Sequence, residues 1–342
     1  MIKYLGSKRR LLPRILAAIE GFPAARSVLD LFSGTSRVGH ALKRAGYHVI
    51  ANDHNAYAHV LARCYVQADA DRVLADARML LRELAALPGR PGWFTETFCV
   101  RSRFFQPRNG ERIEAIREAI AARALEPELE AVLLTSLMEA ADRVDSTTGV
   151  QMAYLKAWAP RAHHALELRL PDVLPGGGRA YGLDALEAAS TLEADVVYLD
   201  PPYNQHRYLG NYHVWETLVR WDAPESYGVA CKRVACRTYR SDFNSRKRIA
   251  TAFTDVVDAV RARHLVVSFN DEGYLGRAEL EAVLRRRGRV SVVEVDYPRY
   301  VGARIGIHNP AGVKVGKVGR LRNTERLFIV SDVSAPAIAA AG

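Results

Sequence analysis

A chain of 342 residues exceeds a typical single domain, which leaves one large core with a substantial insertion, or two domains. Its 48 Lys and Arg against 38 Asp and Glu give a formal net charge of +10, which favours a polyanionic partner, nucleic acid first. The cysteines Cys64, Cys99, Cys231 and Cys236 are scattered without the paired spacing of a zinc site, so they read as reduced, buried thiols and no metal is expected.

In chain order, the polar, basic stretch 1–10 lacks the long apolar run of a signal peptide or membrane anchor, so a cytoplasmic, nucleoid-associated protein without membrane attachment is expected. The apolar run 27–32 predicts a strand and 37–44 a helix that Gly46 ends, after which 47–51 is a second strand. From 62 to 175 the pattern is almost entirely helical, with 112–124 and 127–143 the clearest members, up to the turn Pro175-Gly176-Gly177-Gly178. Alternation then resumes: a strand at 194–199, helices at 212–221 and 245–261, a strand at 264–269, a helix at 277–287, and strands at 290–295 and 326–330. Residues 1–61 and 176–334 together spell an α/β fold with a mostly parallel sheet, into which 62–175 is inserted as a helical subdomain. The Ala-rich 335–342 reads as a disordered tail.

The segment from Leu29 to Gly39 is a strand running into a glycine-bearing turn that opens a helix, the place where open α/β sheets bind ligands. Asp30, Phe32 and Gly34 sit at the carboxyl end of that strand and face the crevice, and Gly34 lets the backbone approach a ligand without a Cβ in the way. The pattern is not a clean dinucleotide fingerprint, because Ser36 stands two residues after Gly34. Asp53 ends the second strand about twenty residues beyond the turn, where such folds set a carboxylate on a ribose diol. Its other reading is a cap on the helix that starts near Asn55.

Asp200-Pro201-Pro202-Tyr203 follows the apolar run 196–199. Two successive prolines have no N–H to donate and turn the chain out of the sheet, so an acid, a carbonyl acceptor and a ring crowd the strand's mouth. That combination suits a flat aromatic amine such as adenine's exocyclic group, with two acceptors for its two hydrogens and a π face for its ring. The plainer reading is a strand that stops at a surface turn.

On these motifs the chain resembles the Dam-like adenine-specific DNA methyltransferases. The resemblance rests on Lys3-Tyr4-Leu5-Gly6-Ser7-Lys8, the Asp30 to Gly39 turn, Asn52-Asp53 and the Asp200 to Tyr203 turn. The stretches 104–110 and 136–143, Asn211-Tyr212-His213 and Ser268-Phe269-Asn270 extend it over nearly the full length. It implies a Rossmann-like domain that uses S-adenosylmethionine, in the family's alpha order of motifs, with the insertion recognising the target sequence. Carried over residue by residue, Tyr4 and Lys8 contact the cofactor, Asp53 holds its ribose, and Asp200 lies where cofactor and base meet. Asp184 falls at the third-strand position near the cofactor's adenine, a helix N-cap being its other reading. The family often has a second glycine where this chain has Ser36.

In that setting Asp200 and the Pro201 carbonyl accept from the target amine and localise its lone pair for in-line displacement on a flipped base, over which Tyr203 stacks. Neither a metal nor a cysteine nucleophile is needed, and Asp200 need not have a raised pKa. The acid-free basic segment 297–323, with Arg304, Lys314, Lys317, Arg320 and Arg322, reads as a phosphate clamp, and Arg207, Lys232 and Arg233 follow the catalytic turn. In the insertion, Arg103, Arg108 and Asn109 surround Phe104-Phe105, and 145–149 is a polar turn able to reach base edges. The phenylalanines read as core anchors, and about half of the basic residues as merely solvated. Double-stranded DNA, a chain acting singly and a cognate restriction endonuclease are the expected partners. The alternatives are methylation of adenine in RNA, which the basic surface does not separate from DNA, methylation of cytosine N4, whose amine has similar chemistry, and a non-catalytic DNA-binding module.

Overall fold

Strands β1 (Ser27–Asp30), β2 (His48–Asn52), β3 (Arg179–Tyr181) and β4 (Val196–Leu199) come first in the computed structural model, which describes residues 1–298 and 322–331. The short β5 (Ser226–Tyr227) and β6 (Lys232–Arg233) pair as a small antiparallel hairpin, and β7 (His264–Asn270), β8 (Arg289–Pro298) and β9 (Arg322–Ser331) follow. Among the described residues, seven of these strands form one sheet in the order β3-β2-β1-β4-β7-β9-β8. The run from β3 to β7 is parallel throughout, and β9 is antiparallel to both of its neighbours. The mostly parallel α/β sheet is therefore as the residue pattern required. β3 escaped that pattern because its three residues are partly or fully exposed and carry no apolar run.

Alternate side chains of each strand enter opposite layers. Val28, Val196 and Val266 pack with Ile15 of helix Leu12–Glu20 and Leu42 of helix Arg37–Arg44. Leu29, Val197 and Val267 pack on the other side with Phe253 and Val257 of helix Ile249–Ala259. All four residues of β4 are buried, which is why its sequence shows no polar alternation. From β1 the chain builds outward to β2 and β3, and from β4 it builds the other way to β7. Between the carboxyl ends of β1 and β4 the connections diverge, and such a switch point opens a crevice.

Between β2 and β3 the chain is dominated by helices Ala70–Ala86, Pro107–Ala121 and Pro127–Arg143. Its apolar cluster contains Phe94, Phe98, Ile113 and Leu137, and continues into Tyr57 of helix Ala56–Ala62 and Trp215 of helix His213–Arg220. Phe104 and Phe105 are each 1% exposed, core anchors as their apolar bulk suggested. The N-terminal segment is tied to this block: the Lys3 N–H donates to Asp142 Oδ2 at 3.0 Å and its ammonium reaches Asp145 Oδ1 at 3.0 Å.

Two features expected to face nucleic acid are interior instead. Asn109 is 2% exposed; its amide donates to the carbonyls of Ala162 (3.3 Å) and His164 (2.9 Å), and its Oδ1 accepts from the Leu166 N–H at 3.1 Å. The turn 145–149 is likewise turned inward at Asp145, Ser146 and Thr147, where Asp145 takes the Arg161 guanidinium at 2.9 and 2.7 Å. Short polar side chains satisfy buried backbone groups as readily as they reach bases, and sequence alone does not separate the two uses. Asn109→Ala strands the buried Ala162 carbonyl and Leu166 N–H and loosens the half-buried His164 carbonyl, so chemical denaturation should show a loss of about 2–3 kcal/mol, with the salt dependence of nucleic-acid binding unchanged.

Candidate active site

The turn after β1 is compressed by left-handed conformations at Gly34 (φ +51°) and Ser36 (φ +56°). A Cβ on Gly34 would lie 3.1 Å from the Tyr4 ring, so the bare backbone there makes room for the N-terminal segment as well as for the cleft. Asp30 is 1% exposed; its Oδ2 accepts from the Gly39 N–H at 3.1 Å, while its Oδ1 is buried without a partner. Burial, helped by the nearby Asp200 charge, pushes the Asp30 carboxyl up to about 7. A partnerless carboxylate oxygen in the wall of a cleft is a seat for a donor supplied by a ligand.

Asp53 joins two of the loops that frame the cleft. Its Oδ1 accepts from the Asn55 N–H (2.9 Å) and amide (3.0 Å) at the start of helix Ala56–Ala62, and its Oδ2 accepts from the Gly34 N–H at 3.0 Å. Asn52 ties in a third loop: its amide donates to the carbonyls of Leu31 (3.3 Å) and Leu183 (3.2 Å), and its Oδ1 accepts from the Leu183 N–H at 3.0 Å. The signal for that role was a lone amide closing a buried strand. Asp184 lies three residues beyond β3, which ends at Tyr181, and takes up the N-cap reading: it caps helix Ala185–Thr191, accepting from the Leu186 N–H at 2.9 Å. Asp53, Asp184 and Phe32 all line the cleft, Phe32 meeting Phe243 edge-on at 5.3 Å between centroids.

The Tyr4 ring stacks against both Tyr208 and Tyr212, with centroids 5.2 and 4.7 Å away, and the Leu5 N–H donates to the Tyr212 hydroxyl at 2.6 Å. Lys8 also lines the cleft, but its ammonium is spent on protein carboxylates: Asp200 Oδ1 lies at 3.0 Å and Glu325 Oε1 at 2.6 Å. Ser268 Oγ donates to the same Glu325 oxygen at 2.6 Å. Nothing in the sequence pattern pointed to Glu325, which reaches the site only because β9 pairs with β7 and sets it opposite Asn270. Burial pushes the Asp200 carboxyl up to about 6, with Lys8 pulling it down and Glu325 pushing it further up; the chemistry does not need a raised value, and the surroundings impose one. Of the turn after β4, Asp200 and Pro202 line the cleft and Pro201 is buried. The Tyr203 ring rests on Phe269 at 4.9 Å, and its hydroxyl accepts from the Asn270 amide at 2.9 Å.

The basic residues divide. Arg207 is exposed and lines the cleft. Arg103 donates to the Lys156 carbonyl at 2.8 Å and lies over the Trp158 ring, and exposed Arg108 donates to the His163 carbonyl. Arg233 is corrected to a scaffold residue, because it is 8% exposed and its guanidinium grips Asp222 at 3.2 and 2.6 Å. Lys232 beside it is half-buried. Arg304, Lys314, Lys317 and Arg320 lie outside the described residues, as does the side chain of Arg322 at the start of β9. Among the described residues, no cluster of three or more His, Cys, Asp or Glu could hold a metal ion, and no helix is long and apolar enough to cross a membrane.

A doubly wound sheet with acids at the ends of β1, β2 and β4 around one cleft, and a diproline turn on its rim, defines the Rossmann-like class of methyltransferases. Residues 4–281 match the family model of the D12 class N6 adenine-specific DNA methyltransferases, and the chain belongs to that family. It is 30% identical to the type II methyltransferase M.NlaIII of Neisseria lactamica, over 87% of this chain and 92% of that one. The type II methyltransferase M.FokI of Planomicrobium okeanokoites is also 30% identical, over 84% of this chain and 47% of its own length. The type II methyltransferase M.CviAII of Paramecium bursaria Chlorella virus 1 is 27% identical, over 87% of this chain and 92% of its own. The family's reaction, N6 methylation of adenine in DNA, is the activity of this chain, and the RNA, cytosine and non-catalytic readings fall away. Methyltransferases of this family in general draw their methyl group from S-adenosylmethionine.

Asp30 fixes one expectation. A raised carboxyl pKa adds stability below the unfolded value near 4 and loses it as pH rises through about 7. Asp30→Asn should therefore raise the thermal midpoint at pH 8 by roughly 2–5 °C and leave it little changed at pH 4, as differential scanning calorimetry would show.

Proposed function

We propose that this chain binds S-adenosylmethionine across the ends of β1 and β2 and methylates an adenine flipped out of double-stranded DNA at the Asp200–Tyr203 turn. The observation that carries this reading is that Asp200 walls the same cleft as the partnerless Oδ1 of Asp30 and the Asp53 carboxylate. Those groups fit the cofactor's chemistry: an orphan carboxylate oxygen for a cationic amino end, a second carboxylate for a ribose diol, and Phe32 with Phe243 for an aromatic face. Tyr4 closes over the Gly34 turn, and Asp184 stands at the edge of the same wall. When bound, S-adenosylmethionine supplies an electrophilic sulfonium methyl, leaving a neutral thioether.

Adenine's amine is a poor nucleophile because its lone pair is delocalised into the ring. Asp200 Oδ2 and the Pro201 carbonyl accept its two hydrogens, which favours a tetrahedral nitrogen whose lone pair points out of the ring plane. Fixed acceptors in a buried site are already oriented toward the positive charge that develops on that nitrogen. The proton then leaves to water, since the methylated nitrogen is acidic until it does so. Extruding the base costs roughly a few kcal/mol, and Tyr203, braced by Phe269 and Asn270, offers a fixed face for it.

Arg207 at the cleft, with Arg103, Arg108 and Lys232, supplies phosphate contacts, and the basic segment of 297–323 adds to them. Residues 62–175 read the target sequence. One chain suffices, because each strand of a site receives one methyl group. Since relatives carry type II methyltransferase names, a restriction endonuclease cutting the same sequence is the proposed counterpart. A chromosomal substrate places the work in the cytoplasm, at the nucleoid.

Asp200→Ala should lower single-turnover methyl transfer by about a thousandfold or more while calorimetric cofactor affinity stays within severalfold; near-normal turnover would overturn the assignment. The rate should also fall as pH drops through about 6, because a protonated Asp200 no longer accepts from the amine. A profile flat between pH 5 and 7 counts against that role. Tyr203→Ala should slow transfer more than Tyr203→Phe, and equal losses would remove stacking from the account.

A further inference from the structure

Lys8, Asp200 and Glu325 form a charged trio beside the cleft, with side chains 7%, 20% and 6% exposed. The ammonium sits closer to Glu325 (2.6 Å) than to Asp200 (3.0 Å), and Ser268 Oγ holds the Glu325 oxygen from its other side at 2.6 Å. A second buried carboxylate is costly to desolvate. It is not required to fasten β9, which already pairs with β7 from Glu325 to Val330 and with β8 along its whole length.

The charge count suggests what it does. A lysine paired with Asp200 alone would cancel the acceptor that the amine needs. Two carboxylates sharing one ammonium leave one negative charge in excess, at the place where a positive charge must develop. The Glu325 contact also fixes where the ammonium stands, and so which Asp200 oxygen it occupies. Asp200 Oδ1 is taken, and Oδ2 is left for the substrate.

We propose that Glu325 is a positioning residue for methyl transfer, acting through Lys8: it holds the ammonium so that Asp200 is oriented without being neutralised. The inference rests on Asp200 being the acceptor of the amine hydrogens. Lys8 and Glu325 are the charged groups that act on Asp200, whose own charge acts in turn on Asp30, Tyr198, Tyr203 and Tyr208. Burial holds all four tyrosyl and carboxyl groups above their ordinary values, so Glu325 is the group whose charge responds to substitution without altering the cleft wall.

The test is Glu325→Gln, which keeps an oxygen for Lys8 and Ser268 but removes the charge. Single-turnover transfer should fall about tenfold or more at unchanged cofactor affinity, and the acid limb of the rate profile should move to lower pH, because Asp200 is then paired one to one with Lys8. In a Lys8→Met background the same substitution should cost little, the mark of a residue acting through another. An unchanged rate and acid limb, or an equal loss with and without Lys8, overturns the proposal. Should the glutamine variant not fold, Ser268→Ala loosens the same oxygen without removing a charge and should slow transfer about threefold; an unaltered rate there overturns it too. If Asp200→Ala stays active, the acceptor reading itself fails. An inactive Asp200→Ala beside a fully active Glu325→Gln sinks only the role of Glu325.

Discussion

The parallel pairing of β1 with β4 is the constraint from which the site follows. Asp30 stands opposite Tyr198 in that register, so the turn after β1 and the turn after β4 leave the sheet side by side. The two connections then run to opposite sides, and the gap between them cannot be closed by either. A glycine-bearing turn and a diproline turn are the two ways this chain makes sharp exits at that edge. The first does so by tolerating left-handed backbone, the second by forbidding further ladder bonds.

Electrostatically the cleft is held away from its most stable state. Asp30 is buried and Asp200 partly buried, and both carboxyls are pushed up, to about 7 and about 6, so that ionising either one carries a cost. Raised values of this kind mean that the fold alone would be better served by neutral residues there. Groups that bring positive charge to the cleft recover that cost when they bind. The Lys8 ammonium does part of this permanently for Asp200, whereas Asp30 Oδ1 has no protein partner at all.

Much of this could be read in the sequence because it is local. The fully buried β4 and the turn after it are contiguous, and the Asp30 to Gly34 turn lies only one helix and one strand before the Asp53 that closes on it. What could not be read is set by pairing between distant segments. Glu325 looks like an ordinary acid ahead of an apolar strand, and only the antiparallel register of β9 on β7 carries it to Lys8. Polar residues were overread in the opposite direction. Asn109 and Asp145 have the chemistry of base readers, yet their hydrogen-bonding capacity is consumed by the insertion's own loops. Arg233 is similar: its charge counts toward the basic total, but Asp222 takes it. Composition reports what a side chain is able to bond, and the fold decides whether anything is left over.

The amino-terminal segment sets a limit on movement. Lys3 is fastened to Asp142 of helix Pro127–Arg143 and to Asp145 in the turn after it, and Lys8 to the acid at the end of β4. Five peptide units separate the two anchors, so a fully taut leash spans about 17 Å. While both anchors hold, the helical block and the end of β4 cannot part beyond that span, and a larger displacement must break either the Lys3 pairing or the Lys8 pairing that orients Asp200.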